Sequence, residues 1–274
     1  MIISKEKYWK EVRKEEFKDN LFRIYLDEDC LQSNQGNDIM VSERLADEIV
    51  REWSKDGKID SIKNSFFTKF CFSATDCTEE ERLAVLDRLV EYGNCDPICY
   101  IASEPTNLHL KQKTLYRPLI EWAEKFISIK LKTGSSLLFI EQPLLNSSKI
   151  KNYLEDLDNF HLTALHELTK SLGSLFTSLA LYRKFVSPER AWEVANAEDN
   201  FRIEVWGEVE EETLIKNANL QFFNNLVKIL SMISSCGLCF KMGGCVEVWY
   251  GVGVLRGVGW RWRGGGEWGG GGGG

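Results

Sequence analysis

The segment LDNFHLTALHELTKSLGSLFTSLAL, residues 157–181, contains leucines at helical spacing and decides the fold class of the larger part of the chain. With the residues around it, this segment predicts two helices joined near Asn159. Thr169, Gly173 and Thr177 lie four residues apart, so a neighbouring backbone is expected to approach along a groove of small residues. The leucines that carry the pattern are Leu154, Leu157, Leu165, Leu168, Leu172, Leu175 and Leu179.

Upstream, residues 8–41 contain short apolar or alternating runs separated by polar turns, which is typical of strands. The period changes after Ser42, where Leu45, Ile49 and Trp53 define the buried face of a helix that Gly57 ends. The next run, SFFTKFCFSA (residues 65–74), is compatible with a return to the sheet or with a buried connector.

Further helices are predicted from residue 78 onward. Thr78 and Glu81 have the spacing of a capping box, and Gly93 is expected to break the helix that they begin. Pro118 marks an early turn or a kink in the next helix. Pro188, after Ser187, is typical of a first helical position.

The fold class that follows is α+β. Three segments are expected: a small β-rich N-terminal domain at residues 1–76, a larger all-helical domain at 77–235, and a disordered tail rich in glycine and tryptophan at 236–274. Of the 22 glycines, 15 lie between Gly243 and Gly274. Such a composition does not support a packed core, and deletion of residues 241–274 is expected to leave function intact.

Charge and motifs exclude several function classes. The 274 residues include 41 acidic and 34 basic side chains, a net charge of −7 that argues against binding to a nucleic-acid backbone. The sequence has no phosphate-binding loop and no G-x-G-x-x-G between a strand and a helix, since the glycine clusters of the tail have neither flanking element. No apolar run is long enough for a membrane span, and the start, MIISKEKYWKEV, resembles neither a signal peptide nor an import leader. These features predict a soluble cytosolic protein with reduced cysteines.

Cysteines and histidines offer the candidates for metal or redox chemistry. Cys236 and Cys239 form a C-x-x-C pair followed by Cys245, which suits a redox pair or half of a zinc site. A fourth zinc ligand would have to come from a histidine in another predicted element, so a site here is the weaker alternative. His166 beside Glu167 could form an acid/base pair, although a hydrogen-bonded histidine in a helix bundle is favoured. Cys99 is expected to be a small buried apolar side chain.

An acidic and aromatic cluster lies at a predicted helix junction after residue 203. Its acidic residues suit the positive end of a helix dipole, which is the simpler interpretation. The alternative is a docking surface for a protein partner. The helix that follows is expected to bury Ile215, Ala218, Phe222, Leu226 and Ile229 on one side. The candidate partner-binding residues of the cluster are Glu204, Trp206, Gly207, Glu208 and Glu210.

Four segments, in this order and spacing, resemble one family of assembly chaperones. They are EYGNCDPICYIASEP (91–105), RPLIEWAEKF (117–126), the leucine-rich segment 157–181 and AWEVANAEDNFRIEVWGEVEEE (191–212). The sequence is similar to the F-type ATP synthase assembly chaperone that acts on the alpha subunit, the ATP-twelve chaperone family. The resemblance extends from about Tyr8 to Leu230 and is strongest after Gly93, whereas LDEDCLQSNQGND (26–38) departs from the family pattern.

The resemblance implies a two-domain, ATP-independent chaperone without enzymatic activity or cofactor. Its partner would be the unassembled alpha subunit, whose interface for the beta subunit it would shield, and the chain would act as a monomer. Glu208 and Glu210 would carry the binding, with Glu204 and Trp206 shaping their junction. Eukaryotic family members work in the mitochondrial matrix, whereas this chain is expected in the bacterial cytoplasm. Two alternatives remain: a redox or zinc protein that uses the C-x-x-C segment, and a generic acidic protein-interaction adaptor.

Overall fold

A computed structural model describes residues 7–135 and 139–233 of the chain. In these residues a small N-terminal sheet is followed by a helical region that makes up most of the fold. The predicted α+β class is confirmed. The predicted domain boundary at residue 76 stays a prediction, and the glycine-rich tail lies outside the described residues.

The sheet is built around an antiparallel hairpin. Strand β1 spans Val12–Lys18 and pairs with β2, Leu21–Leu26, in a register that places Val12 opposite Leu26. Asp19 and Asn20 both have positive φ, 51° and 62°, as the tight hairpin turn between two twisted strands requires. Two short strands, β3 (Asp29–Cys30) and β4 (Val41–Ser42), also pair with β2. The strand signals of residues 8–41 are thus confirmed.

Helix α1, Glu43–Ser54, packs on both strands of the hairpin. Leu45, Ile49 and Trp53 are almost fully buried, which confirms the predicted apolar face. Ser42 occupies the N-cap position, although its side chain makes no capping hydrogen bond. A short helix α2, Ile59–Lys63, leads into α3, Phe66–Thr75. The run at residues 65–74 is therefore a buried helix, and the expectation of a strand or a connector there is wrong.

Glu52 of α1 explains why α3 begins where it does. Its carboxylate is buried and accepts hydrogen bonds from the backbone N–H groups of Phe67 and Thr68, at 2.9 and 2.8 Å, and from the Thr68 hydroxyl at 2.7 Å. These N–H groups belong to the first turn of α3 and have no partner inside the helix. The Trp53 indole N–H also donates to Thr68 Oγ1, at 3.0 Å. The N-terminal cap of α3 therefore comes from another helix.

The remaining helices form the larger part of the fold. They are α4 (Glu79–Asn94), α5 (Thr106–Phe126), α6 (Leu144–Glu155), α7 (Asn159–Leu172), α8 (Leu175–Tyr182), α9 (Pro188–Ala195), α10 (Ala197–Trp206) and α11 (Glu210–Ile233), with a 3-10 turn at Pro97–Cys99. The capping box of Thr78 and Glu81 is present, with N···O distances of 2.9 and 3.2 Å. Ser187 caps α9 with Pro188 in its first turn, as predicted.

Three expectations for the helical part need correction. Segment 148–185 forms three helices rather than two, because Gly173 (φ 68°) ends α7 in the left-handed region; Thr169 and Thr177 therefore lie on different helices. The expected end of α4 shifts by one residue: Gly93 lies in its last turn and the helix ends at Asn94, and a Cβ on Gly93 would come within 2.9 Å of Ile150 Cδ1. Its missing side chain allows α6 and α8 to pack closely on α4. Pro118 lies in the interior of α5 and not in an early turn.

Asp96 connects two of these helices in the core. Its fully buried carboxylate accepts hydrogen bonds from the backbone N–H of Phe176 (3.0 Å), the Ser174 hydroxyl (2.8 Å) and the backbone N–H of Ile98 (3.2 Å). The same side chain thus caps the 3-10 turn and the N-terminus of α8. Burial raises the pKa of Asp96 to about 6, although these hydrogen bonds oppose the shift.

Candidate functional site

The predicted partner-binding residues come together at the junction of α10 and α11. Glu204 and Trp206 lie in the last turn of α10, Glu208 lies in the connection, and Glu210 is the first residue of α11. Gly207 ends α10 with φ 84°, a conformation that residues with a side chain rarely adopt. Its N–H donates to the carbonyl of Ile203 at 2.8 Å, so the turn is held by the helix itself.

Large apolar side chains surround these glutamates in solvent. Trp206 is 76% exposed, and Leu214 and Ile215 on α11 are 67% and 62% exposed. Val205 and Val209 are also exposed. We call this set the acidic–apolar surface; its members are Glu204, Val205, Trp206, Glu208, Val209, Glu210, Leu214 and Ile215.

The expectation that one side of α11 is buried along its length is wrong. Leu226 and Ile229 are buried, but Ile215 and Ala218 are exposed and Phe222 is 40% exposed. The C-terminal half of α11 packs against α7, α1 and β4, and Lys228 pairs with Glu48 of α1 at 2.8 Å. The first three turns of α11 have apolar side chains at the same helical spacing, but α7, α1 and β4 do not cover them. An amphipathic helix with half of its apolar face in water is typical of a partner-binding element.

The glutamates of the surface differ in how they are held. Glu204 pairs with Lys111 of α5 at 2.5 Å, and therefore ties α10 to the body of the fold. Arg202 binds Glu212 at 2.6 Å and joins α10 to α11; this hydrogen bond raises the pKa of Arg202. Within the described residues, Glu208 and Glu210 form neither an ion pair nor a side-chain hydrogen bond. These two carboxylates are the ones available to a partner.

A cleft of about 250 Å³ lies between α10 and α11, directly beside these carboxylates. Trp192, Ile203 and Ile215 supply its apolar wall, and Arg202, Glu208 and Glu212 supply charge. The docking interpretation of the acidic cluster stays a prediction, with this cleft as its structural setting. Its exposed apolar neighbours at positions 209, 214 and 215 were missed because the period of α11 was taken as a sign of burial.

Two tryptophans and a cysteine outside this surface lie in the core or in an aromatic cluster. Trp53 is 1% exposed and belongs to the core, while Trp122 stacks on Phe126 and Phe185, with ring centroids 4.8 and 5.3 Å apart. Cys99 is buried, and burial raises the pKa of its thiol to about 12.

The alternative of metal or redox chemistry finds no support within residues 7–135 and 139–233. The carboxylate of Asp158 caps α7 and lies 2.7 Å from the ring Nδ1 of His161. No group of three or more metal-ligating side chains occurs in the described part of the chain. Cys236, Cys239 and Cys245 lie outside it.

None of the described helices has the length and apolarity to cross a membrane.

The architecture is that of a mainly helical protein with a small N-terminal sheet and an exposed acidic–apolar surface. Comparison with known proteins agrees with this class. The family model described as ATP12 chaperone protein matches residues 6–124. The match includes the N-terminal region, where departures from the family pattern were expected.

Individual relatives extend the similarity beyond residue 124. A mitochondrial protein of Schizosaccharomyces pombe, named Protein atp12, is 23% identical over 226 residues, which are 78% of this chain and 77% of the relative. The crystal structure of Atp12 from Paracoccus denitrificans superposes with a TM-score of 0.74 and 25% identity, over 83% of this chain and 98% of that chain. A solved structure from Agrobacterium tumefaciens, 23% identical, has the same fold, with a TM-score of 0.71 over 83% of this chain and 85% of that chain.

As the sequence resemblance indicated, the chain is similar to ATP12 chaperone proteins: the family model matches residues 6–124, and the relatives extend the likeness over most of the chain.

Proposed function

We propose that this chain binds the unassembled alpha subunit of the F-type ATP synthase and shields the interface that the beta subunit later covers. The observation that supports the proposal is the uncovered first half of α11 with the exposed Trp206 beside it. A chaperone that recognises an assembly interface needs apolar surface of its own, because such an interface is apolar and prone to aggregation before assembly.

The mixed character of the surface fits a partner that must later be released. Leu214, Ile215 and Trp206 would contact the apolar part of the interface, and Glu208 and Glu210 would contact basic or hydrogen-bonding groups at its rim. Interfaces with a charged rim are typical of non-obligate complexes, whereas permanent ones are more apolar. The proposed mechanism is reversible masking by a monomer, with no chemical step, nucleotide or cofactor.

The place of action stays a prediction. The Schizosaccharomyces pombe relative is named as mitochondrial. For this chain we propose the bacterial cytoplasm, where the alpha subunit would be captured soon after synthesis.

Co-purification tests the choice of partner. The tagged full-length chain, expressed together with alpha and beta subunits, is expected to retain the alpha subunit in clear excess over beta, because only the alpha interface is recognised. Quantitative immunoblotting of the eluate measures the ratio. Equal recovery of the two subunits would favour a generic acidic adaptor and refute specific capture of alpha.

A further inference from the structure

A second cleft lies on the fold away from the α10–α11 junction. It has a volume of about 790 Å³ and is lined by residues from the β3–β4 connection, from α2 and α3, and from α4 and α7. Clefts of this size hold a drug-sized ligand or a few residues of a peptide. Lys63, Lys69 and Arg88 supply its positive charge.

The side chains of these three cations have no ion-pair or hydrogen-bond partner in the described part of the chain. The carboxylates of the same cleft are already engaged. Asp76 accepts hydrogen bonds from the Ser33 hydroxyl, from Gln35 N–H at 3.3 Å and from the side chain of Asn37 at 2.9 Å.

The remaining two carboxylates are engaged as well. Glu81 completes the capping box of α4, and Glu167 binds Lys170 at 3.1 Å. The negative charges therefore hold the walls of the cleft, and the positive charges stay available to a ligand.

His166 adds an unsatisfied polar atom to the wall. Its Nδ1 lies 3.6 Å from the Glu167 carboxylate, and the nearby imidazole lowers the pKa of Glu167. The other ring nitrogen, Nε2, is buried without a hydrogen-bond partner. Buried polar atoms in folded proteins nearly always have a partner, and a ligand in the cleft would be one for this nitrogen.

We propose that this cleft binds an acidic segment of polypeptide, with Lys63, Lys69 and Arg88 pairing with its carboxylates. Asn34, Gln35 and Ser73 line the same cleft and can hydrogen-bond a peptide backbone. A free phosphate would leave these neutral hydrogen-bonding groups unused, so the lining favours a polypeptide. The site is distinct from the acidic–apolar surface and has the opposite charge preference.

Fluorescence anisotropy with the full-length chain and a fluorescein-labelled hexaglutamate peptide tests the proposal. Binding is expected to weaken about tenfold when Lys63→Gln, Lys69→Gln and Arg88→Gln are combined, because three charge pairs are lost. A matched variant, Lys113→Gln, Lys125→Gln and Arg44→Gln, removes two lysines and one arginine from exposed positions elsewhere and should bind as the unmodified chain does.

Thermal unfolding of both triple variants shows whether the fold is kept. If the cleft variant is unstable, Lys69→Gln alone, at an exposed position of α3, should still weaken binding about threefold. Three results would overturn the proposal: no binding of hexaglutamate, equal loss in both triple variants, or equal binding of a labelled hexaglutamine peptide. Binding of tripolyphosphate, measured by calorimetry and lost in the cleft variant, together with no binding of the peptide, would assign the cleft to a free phosphate instead.

Discussion

Charge reversal at Glu208 and Glu210 is expected to weaken capture of the alpha subunit about tenfold or more and to leave thermal unfolding nearly unchanged. Both carboxylates are exposed, and neither has an ion-pair partner within the described residues, so the fold loses little when they become lysines. A lysine at either position would place a positive charge against the rim that the glutamates are proposed to contact, and like charges across an interface cost several kcal/mol.

A matched variant distinguishes the loss of partner contacts from the loss of a favourable interaction with the helix dipole. Glu79 and Glu80 lie in the first turn of α4, as Glu210 lies in the first turn of α11, and both are exposed. Glu79→Lys with Glu80→Lys changes the net charge equally and disturbs a helix dipole in the same way. Titration of labelled alpha subunit should show full affinity for this control. Equal loss in both variants, or a large fall in melting temperature for the Glu208 and Glu210 variant, would contradict the assigned role.

The second large effect is expected at Asp96. Asp96→Ala should lower the free energy of unfolding by about 3 kcal/mol, because it leaves the N–H groups of Phe176 and Ile98 and the hydroxyl of Ser174 without an acceptor. Asp96→Asn keeps the shape and one acceptor oxygen, so it should lose less. Urea denaturation measures both values. A loss below about 1 kcal/mol for the alanine variant would show that the two helix starts do not depend on this carboxylate.

The raised pKa of Asp96 also predicts how the free energy of unfolding changes with pH. Its pKa is raised from 3.8 to about 6 in the folded state. Between these values the folded chain holds a proton that the unfolded chain releases, so the contribution of Asp96 to stability falls as the pH rises toward 6. The stability of the unmodified chain relative to Asp96→Asn should therefore be about 1 kcal/mol greater at pH 5 than at pH 7. The control is Asp29→Asn, at an exposed position. The prediction is refuted by a stability difference between the unmodified chain and Asp96→Asn that is the same at both pH values, or that changes with pH only as much as the difference for Asp29→Asn does.

Local sequence signals predicted the elements whose stabilising contacts are also local. The capping box of α4 and the apolar face of α1 are encoded within a few residues, and both were predicted from the sequence. Helix α3 was not, because the side chain that caps it is Glu52, on a different helix. Gly93 was taken as a break for a similar reason: only the packed structure shows that its missing side chain makes room for Ile150.

At the candidate site as well, features that depend on distant elements could not be predicted from the sequence. The sequence placed the glutamates and Trp206 at a helix junction, and the structure has the junction there. The exposure of Leu214 and Ile215 could not be predicted, because the apolar period of α11 is continuous while its neighbours cover only the C-terminal half. Which half of a helix is covered is decided by the position of other elements. An uncovered half is therefore visible only after folding.

Light scattering of unassembled alpha subunit tests the central claim most directly. Diluted from denaturant without nucleotide, alpha subunit alone is expected to aggregate, and an equimolar amount of the unmodified chain should suppress the signal. The Glu208→Lys, Glu210→Lys variant should suppress it much less, and the Glu79→Lys, Glu80→Lys control should act as the unmodified chain does. Aggregation that is the same with and without the unmodified chain would contradict the account.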